Sequence, residues 1–581
     1  MKWIWILCSL LPQVLSAQHP SSDSSCPGGD DFIIPREAAW GDVVFSEVMY
    51  DPDPPVGLFI GEYLELYNRS DDTIPLEGWQ VKAGERVHVL NGRLTTTRQD
   101  LVLGADQDLR LAPGQYAVVT GITLPNQGAT LALYSPEGVR VHAASYRVPY
   151  DGPEWKKEGG WSLESPDPDM VCNAYRLWQF SMDPSGGSPG RLNSVDTELE
   201  DHEPPLFLWL GFGDSSTVCL QYSEPLQIAA DIAGGITIGP GRLPATKVTG
   251  SEPLSDQLVC IFPVDLFQMG EFRIRVPGVS DCSGNPARDM ALLTGRGAPP
   301  SPGSVLISEI MYDPAEGAPE YIELFNPGPG FIDLKDLSLD VAGEGEVPEQ
   351  FRALCSRSRI MAPGHYVVIT RNTLHLMDAY GLELSGSWLE MDEFESLPNS
   401  GGAVYLAGRA GNIVDAAVYG DRIHMDLIGD TRGVSLERIR WDRPGSDPGN
   451  WHSAASIEGY CTPGRENSQS APEGAFQELL LLEPGVFSPD NDGYHDLLTI
   501  QLAPGERGNV VRLWVTDMSG NTIRVLANSH ITGPVALYTW DGEQDNGQMA
   551  AEGLYVVHVR GYHPASGRRW SDRAATAIIY P

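Results

Sequence analysis

The 581 residues are too many for one hydrophobic core and predict about three to five domains. Hydrophobic residues make up 41% of the chain, enough for each domain to bury a core, and Gly (63) and Pro (46) are abundant without reaching low-complexity levels. The formal net charge of −39 excludes nucleic acid and anionic lipid headgroups as partners, because phosphate binding depends on Lys and Arg.

Residues 1–17 begin with Lys2, continue through the apolar run from Trp3 to Leu11 and close on Val14-Leu15-Ser16-Ala17. That pattern predicts a secretory signal peptide, too short to span a bilayer. Cys8 lies inside the apolar run, which argues against a lipoprotein anchor. No later stretch approaches about 18 apolar residues, so no transmembrane segment is expected. The chain is therefore read as secreted, reaching the cell surface or the exterior by way of the periplasm. Residues 18–40, with Pro20, Pro27, Gly28 and Gly29, form an opening polar segment.

A long-period repeat then organises the chain. Ser46-Glu47-Val48-Met49-Tyr50-Asp51-Pro52 recurs as Ser308-Glu309-Ile310-Met311-Tyr312-Asp313-Pro314. Glu62-Tyr63-Leu64-Glu65-Leu66-Tyr67-Asn68 recurs as Glu320-Tyr321-Ile322-Glu323-Leu324-Phe325-Asn326. Further matches follow in order: Val141-His142-Ala143-Ala144 with Val414-Asp415-Ala416-Ala417, and Ser162-Leu163-Glu164 with Ser435-Leu436-Glu437. Trp178 then matches Trp451, and Pro189-Gly190-Arg191-Leu192-Asn193-Ser194 matches Pro463-Gly464-Arg465-Glu466-Asn467-Ser468. Period-two alternation predicts strands at 44–50, 63–68, 115–120, 130–134 and 140–146. The one predicted helix, 372–380, has no counterpart in the first copy.

These residues resemble the lamin tail domain, an immunoglobulin-like β-sandwich, over 41–195 and 303–468. Between the copies, an acidic linker (Asp196, Glu198, Glu200, Asp201, Glu203) leads to residues 203–298. There, Ser223-Glu224-Pro225-Leu226 and Asp281-Cys282-Ser283-Gly284-Asn285 resemble the small Ig-like domain of bacterial surface proteins. Residues 480–581, with Asp490-Asn491-Asp492-Gly493, Trp540-Asp541-Gly542 and Gly553-Leu554-Tyr555, resemble the Ig-like domain of flagellar hook-capping proteins. They are also similar to the C-terminal domains of gliding-associated secreted proteins, which implies a sorting signal for type IX secretion. The expected fold class is all-β: four consecutive Ig-like β-sandwich modules joined by short linkers.

After signal cleavage seven cysteines remain, an odd number that cannot pair completely within one chain. Cys219, Cys260 and Cys282 share a module, so one local disulfide is expected there, with three pairings open. No Cys-x-x-Cys is present, which removes the strongest zinc and redox signals.

Asp490, Asp492 and Asp496 are the candidate metal ligands. Alternate oxygen donors with Gly493 at the bend suit a calcium loop. The spacing is not that of an EF-hand, whose twelfth position, counted from Ser488, would fall on Thr499. Asp, Asn and Gly also build Asx turns for backbone reasons alone, and both readings stay open. Asp541, Asp545 and Asn546 are weaker calcium candidates. No cofactor is required.

The repeated Glu47, Glu65, Glu309 and Glu323 suggest acid–base chemistry. Glu65 shares a strand face with Tyr63 and Tyr67, however, which points to a buried structural carboxylate, so no catalytic residue is assigned. Gly186-Gly187-Ser188-Pro189-Gly190 matches Gly-x-Ser-x-Gly but sits in a loop without the strand–turn–helix setting of a nucleophile. Asn68-Arg69-Ser70 is an N-glycosylation sequon. Trp155, Trp161, Trp178, Trp388 and Trp451 are read as sandwich core before sugar platforms.

The expected function is that of a non-enzymatic structural or adhesive protein of a bacterial cell surface. Its partner would be a cell-envelope or extracellular protein or glycan, and its last module would direct sorting. The alternatives are an accessory subunit of a secreted hydrolase or nuclease system, since bacterial lamin tail domains accompany such enzymes, and a glycan-binding surface protein.

Overall fold

A computed structural model describes residues 37–580, except 59–60, 85, 92–100, 104–108, 127, 150–151, 172–177, 230, 253, 344–345, 347, 392, 427, 471–478 and 491–494. The expected signal peptide, most of the opening polar segment, Cys26, Cys172 and Asp492 lie outside the described residues. The chain is all-β, a series of antiparallel Ig-like sandwiches. No described helix is long and apolar enough to cross a membrane.

In the first sandwich, Val43–Met49 lies between Tyr63–Asn68 and Leu163–Glu164 in a six-stranded sheet. Tyr116–Thr120 and Leu101–Leu103 extend one side of that sheet, and Gln179–Phe180 extends the other. Arg140–Tyr146, Ala129–Tyr134, Gln80–Ala83 and Arg86–Val89 make the opposing sheet. A bulge between Phe45 and Glu47 turns Phe45 and Val48 into the core and Glu47 and Met49 to the other face. All seven residues of that strand are buried, so the second face is covered as well.

The second sandwich repeats this strand order, from Trp388–Glu390 through Tyr366–Thr370, Tyr321–Phe325, Leu306–Met311 and Leu436–Arg438 to Trp451–Ser453. Its bulge, between Ile307 and Glu309, is in the same place. One edge differs. Leu101–Leu103 runs antiparallel to its neighbour, whereas Trp388–Glu390 runs parallel to Tyr366–Thr370. A parallel neighbour needs a crossover connection, and the helix Thr373–Ala379 lies within it. Asn372 starts that helix where the sequence predicts, its side chain accepting from the His375 N–H at 2.9 Å.

The middle sandwich sets Phe207–Asp214, Thr217–Tyr222, Gln257–Ile261 and Lys247–Gly250 against a sheet containing Glu271–Val276 and Met290–Gly295. Its first strand packs on the second copy of the repeated sandwich. The Phe212 N–H donates to Ser358 Oγ at 2.9 Å, and that hydroxyl donates to Asp333 at 2.6 Å. Two glycines permit the approach: a Cβ at Gly211 would lie 1.8 Å from the Ser358 carbonyl oxygen, and one at Gly386 1.8 Å from that of Leu208. The last sandwich packs Trp540 between Phe487 and Tyr555, with Asn509–Asp517, Gly553–Tyr562 and Arg569–Ile578 as the centre of its larger sheet.

The expected local disulfide does not form as such. Cys219 and Cys260 are free thiols, on strands where Cys219 faces Val259 and Cys260 faces Val218. Neighbouring positions in a strand point to opposite faces, so the two sulfurs diverge. Cys282 is disulfide-bonded, and because Cys219, Cys260, Cys355 and Cys461 are free, its partner lies outside the described residues.

Candidate functional site

The repeated glutamates converge with a third that the sequence reading left apart. Glu47 stands opposite both Glu65 and Glu164, and Glu309 stands opposite both Glu323 and Glu437. All six are 0% exposed. They form the anchor of a clip, residues 188–195 in the first copy and 462–469 in the second, that covers the outer face of the six-stranded sheet.

In the first copy, Glu47 Oε1 accepts from the Tyr63 hydroxyl (2.6 Å), the Ser162 hydroxyl (2.5 Å) and the Ser188 N–H (2.8 Å). Glu65 accepts from the Ser46 hydroxyl (2.8 Å) and the Gly190 N–H (2.5 Å). Glu164 accepts from the Ser188 hydroxyl (2.8 Å) and from the Ser194 N–H and hydroxyl (2.7 Å each). Asn193 then donates to the Ser46 and Ser165 carbonyls at 2.9 and 2.8 Å.

The second copy reproduces most of these bonds, with the Gln469 N–H in place of the Ser194 N–H as backbone donor to the third glutamate. Glu309 accepts from the Tyr321 and Ser435 hydroxyls and the Thr462 N–H. Glu323 accepts from the Ser308 hydroxyl and the Gly464 N–H, and Glu437 from the Thr462 and Ser468 hydroxyls. Asn467 donates to the Ser308 and Arg438 carbonyls. A buried carboxylate is tolerated where donors satisfy its oxygens; backbone N–H groups of the clip supply several of them, while Glu47 Oε2 is left without a hydrogen bond among the described residues.

Burial pushes Glu47 up to about 7 and, with the added charge of Glu47, Glu65 up to about 8. Burial and then the charge of Glu309 push Glu437 up to about 8, and burial raises Glu309 and Glu323 in the same direction. Such groups can hold protons at neutral pH, and all six are closed off from solvent. The sequence signal for the third member was present in the repeated Ser-Leu-Glu; its two-residue strand in the first copy gave no periodicity to place it.

The bulged strand is fixed differently in the two copies. His142 Nδ1 accepts from the Phe45 N–H at 3.2 Å, and burial depresses that imidazole to about 3. In the second copy Asp415 accepts from the Ile307 N–H at 2.8 Å and pairs with buried Arg438 at 2.6 Å.

The remaining candidates are placed as follows. Ser188 is buried and its hydroxyl donates to Glu164, a structural role for the Gly-x-Ser-x-Gly match. Asn68 of the sequon is 0% exposed and donates to the Leu111 and Asp72 carbonyls. Trp161, Trp178 and Trp451 are buried; Trp155 (57% exposed) and half-buried Trp388 sit on different sandwiches, so the five make no common platform. In the calcium candidate loop, the Asp490 N–H donates to the Ser488 carbonyl at 2.9 Å and the Ser488 N–H to that of His495 at 2.9 Å; Asp492 is not among the described residues. Asp541, Asp545 and Asn546 accept from the N–H groups of Glu543, Val525 and Gln548. Among the described residues, Asp201, Glu224 and Asp281 bring carboxylate oxygens within 4.8 Å of one another. Both Asp281 oxygens already accept from Asn285.

No curated protein sequence matches the chain. Among solved structures it is similar to the S-layer protein rSbsC(31-844), at 11% identity over 64% of this chain and 54% of that one, with a TM-score of 0.15. The chain thus spans about half the length of that S-layer protein. It is similar to PorZ, a bacterial surface component of the type-IX secretion system of Porphyromonas gingivalis, at 11% identity over 90% and 81% of the two chains, TM-score 0.15. Dimeric latent PorU from the same organism aligns at 11% identity over 80% and 42%, TM-score 0.14. None of these likenesses amounts to a shared overall arrangement. Residues 36–147 and 298–421 each match the family model of the Lamin Tail Domain.

Proposed function

We propose that the protein is an exported, non-enzymatic structural or adhesive component of a bacterial cell surface, and that its last module, residues 480–581, directs sorting to that surface. The observation that carries the non-enzymatic reading is the paired carboxylate cluster. The residues most suggestive of chemistry are fully buried in both copies and hold the clip shut. What the sandwiches offer to a partner is therefore their faces and loops, and the fold alone does not name the partner. A calcium ion on Asp490, Asp492 and Asp496 is part of the same proposal, as a stabiliser of the last module. Deleting residues 483–581 tests the sorting role: the truncated protein is expected to accumulate in the periplasm, and unchanged surface display of it would refute that role.

A further inference from the structure

The outer face of the last module's larger sheet is unlike the rest of this acidic chain. Arg512 stands directly opposite Arg560, Trp514 opposite His558, His558 opposite Arg573, and Tyr562 opposite Arg569. Like charges directly opposite on neighbouring strands are destabilising, yet Arg512 and Arg560 both lie over the Trp514 ring, 5.2 and 5.5 Å from its centroid. Arg569 lies 5.7 Å from the Tyr562 ring. All four arginines are exposed, and among the described residues none makes an ion pair. Beside Thr516, His558 and Arg573 the face is indented by a cleft of about 390 Å³.

These rows include no Asp, Glu or Lys, although Asp517, one residue past Thr516, is among those lining the cleft. Arginine and aromatic residues without lysine or acids are the composition of a protein interface core, and the guanidinium fork matches a carboxylate bidentately. The Trp514 ring already stacks on His558 at 5.2 Å and 10° beneath its arginines, which leaves little open ring for a sugar.

The same chain holds a complementary surface. Asp196, Glu198, Glu200 and Glu203 are exposed on an extended segment without strand partners. That segment is tethered in place: the Thr197 N–H donates to the Pro166 carbonyl, the Leu199 N–H to Asp167, and Asn285 to the Asp201 carbonyl. Asp196, Glu198 and Glu200 alternate along an extended chain and so repeat about every 6.7 Å, the distance that also separates successive outward residues along each strand of the arginine face. We propose that the arginine face of the last module is filled by the acidic segment Asp196–Glu203 of a second copy.

The two surfaces differ, so the contact is heterologous and propagates head to tail unless a ring closes. At an ionic strength of about 0.15 M, fields are screened beyond about 8 Å. The overall charge of −39 then opposes approach less than the local pairs favour it. The proposal goes beyond the surface-structural reading; it is decided on purified protein, whereas that reading is decided on cells.

Sedimentation velocity of the full chain over a concentration series at 0.15 M NaCl is expected to show species larger than the monomer that dissociate at 0.5 M. Arg512→Glu with Arg560→Glu, and separately Glu198→Lys with Glu200→Lys, are each expected to weaken association by on the order of tenfold or more, with unchanged melting temperature. Mixing the two variants pairs the intact arginine face of one with the intact acidic segment of the other, and the reversed face with the reversed segment, so alternating assembly is expected to recover. A chain that stays monomeric throughout, association indifferent to both reversals, or a mixture that fails to recover would each overturn the proposal. So would a monomeric chain whose arginine face captures heparin or phosphatidylglycerol vesicles.

Discussion

Replacing Glu65 by Gln tests whether the clip's carboxylates carry protons near neutral pH. The folded side chain is fully buried and titrates at about 8, against an ordinary value of 4.5, because burial and then the charge of Glu47 disfavour its ionised form. Between those values the folded state holds a proton that the unfolded state has released, so stability falls as pH rises and levels off above about 8. The slope approaches ~1.4 kcal/mol per pH unit for one such group. From pH 6.5 to pH 8 this amounts to at most roughly 2 kcal/mol, or about 4–8 °C in Tm for a module of this size. His142 and His424 act with the opposite sign and outside this window: burial depresses them to about 3 and about 4, so their contribution is lost only as pH falls below 6.5. In Glu65→Gln the amide oxygen can accept from the Gly190 N–H while its NH₂ donates to a reoriented Ser46 hydroxyl, so the clip stays anchored. Calorimetry at the two pH values should show the wild-type chain melting lower at pH 8, with the variant losing that group's share of the difference. A wild-type Tm that rises across this window, or a variant with the full slope, would refute the reasoning.

Three further outcomes follow from the geometry. Asn467→Ala removes the donor to two buried carbonyls and is expected to lower stability by about 2–3 kcal/mol in urea unfolding; a change under half that would show the clip to be peripheral. Gly386→Ala places a Cβ against the Leu208 carbonyl and is expected to undock the middle module at a cost of about 1–3 kcal/mol, read as new proteolytic cleavage near residue 208; an unchanged digest contradicts it. If Asp490, Asp492 and Asp496 bind calcium, chelation lowers the melting temperature and Asp492→Ala abolishes that shift, whereas an unshifted melt on chelation rejects the site.

Long alternating segments were legible in the sequence. The strands Tyr63–Asn68 and Arg140–Tyr146 coincide with the ranges that period two predicts, and Val43–Met49 differs from its range by one residue at each end. The helix Thr373–Ala379 falls within the predicted range 372–380. The two-residue strands were not: Leu163–Glu164 and Gln179–Phe180 exist because neighbours in space offer ladder partners, and no period fits in two positions. The glutamates were legible as structural from the face Glu65 shares with Tyr63 and Tyr67. That Glu164 and Glu437 complete the clusters depended on register across strands more than 90 residues apart. The cysteines misled for a related reason, since proximity in sequence says nothing about which face of the sheet a thiol occupies.

The clip also sets when each module can finish folding. The bond from Asn193 to the Ser46 carbonyl spans 147 residues, and that from the Thr462 N–H to Glu309 spans 153. Contacts of such separation form late, because loop-closure entropy must first be overcome. The clips lie beyond the family matches, which stop at residues 147 and 421. For a chain delivered vectorially, amino end first, neither sandwich can be sealed until about 40 residues or more past its matched span have emerged, and up to that point its acidic sheet face lies bare.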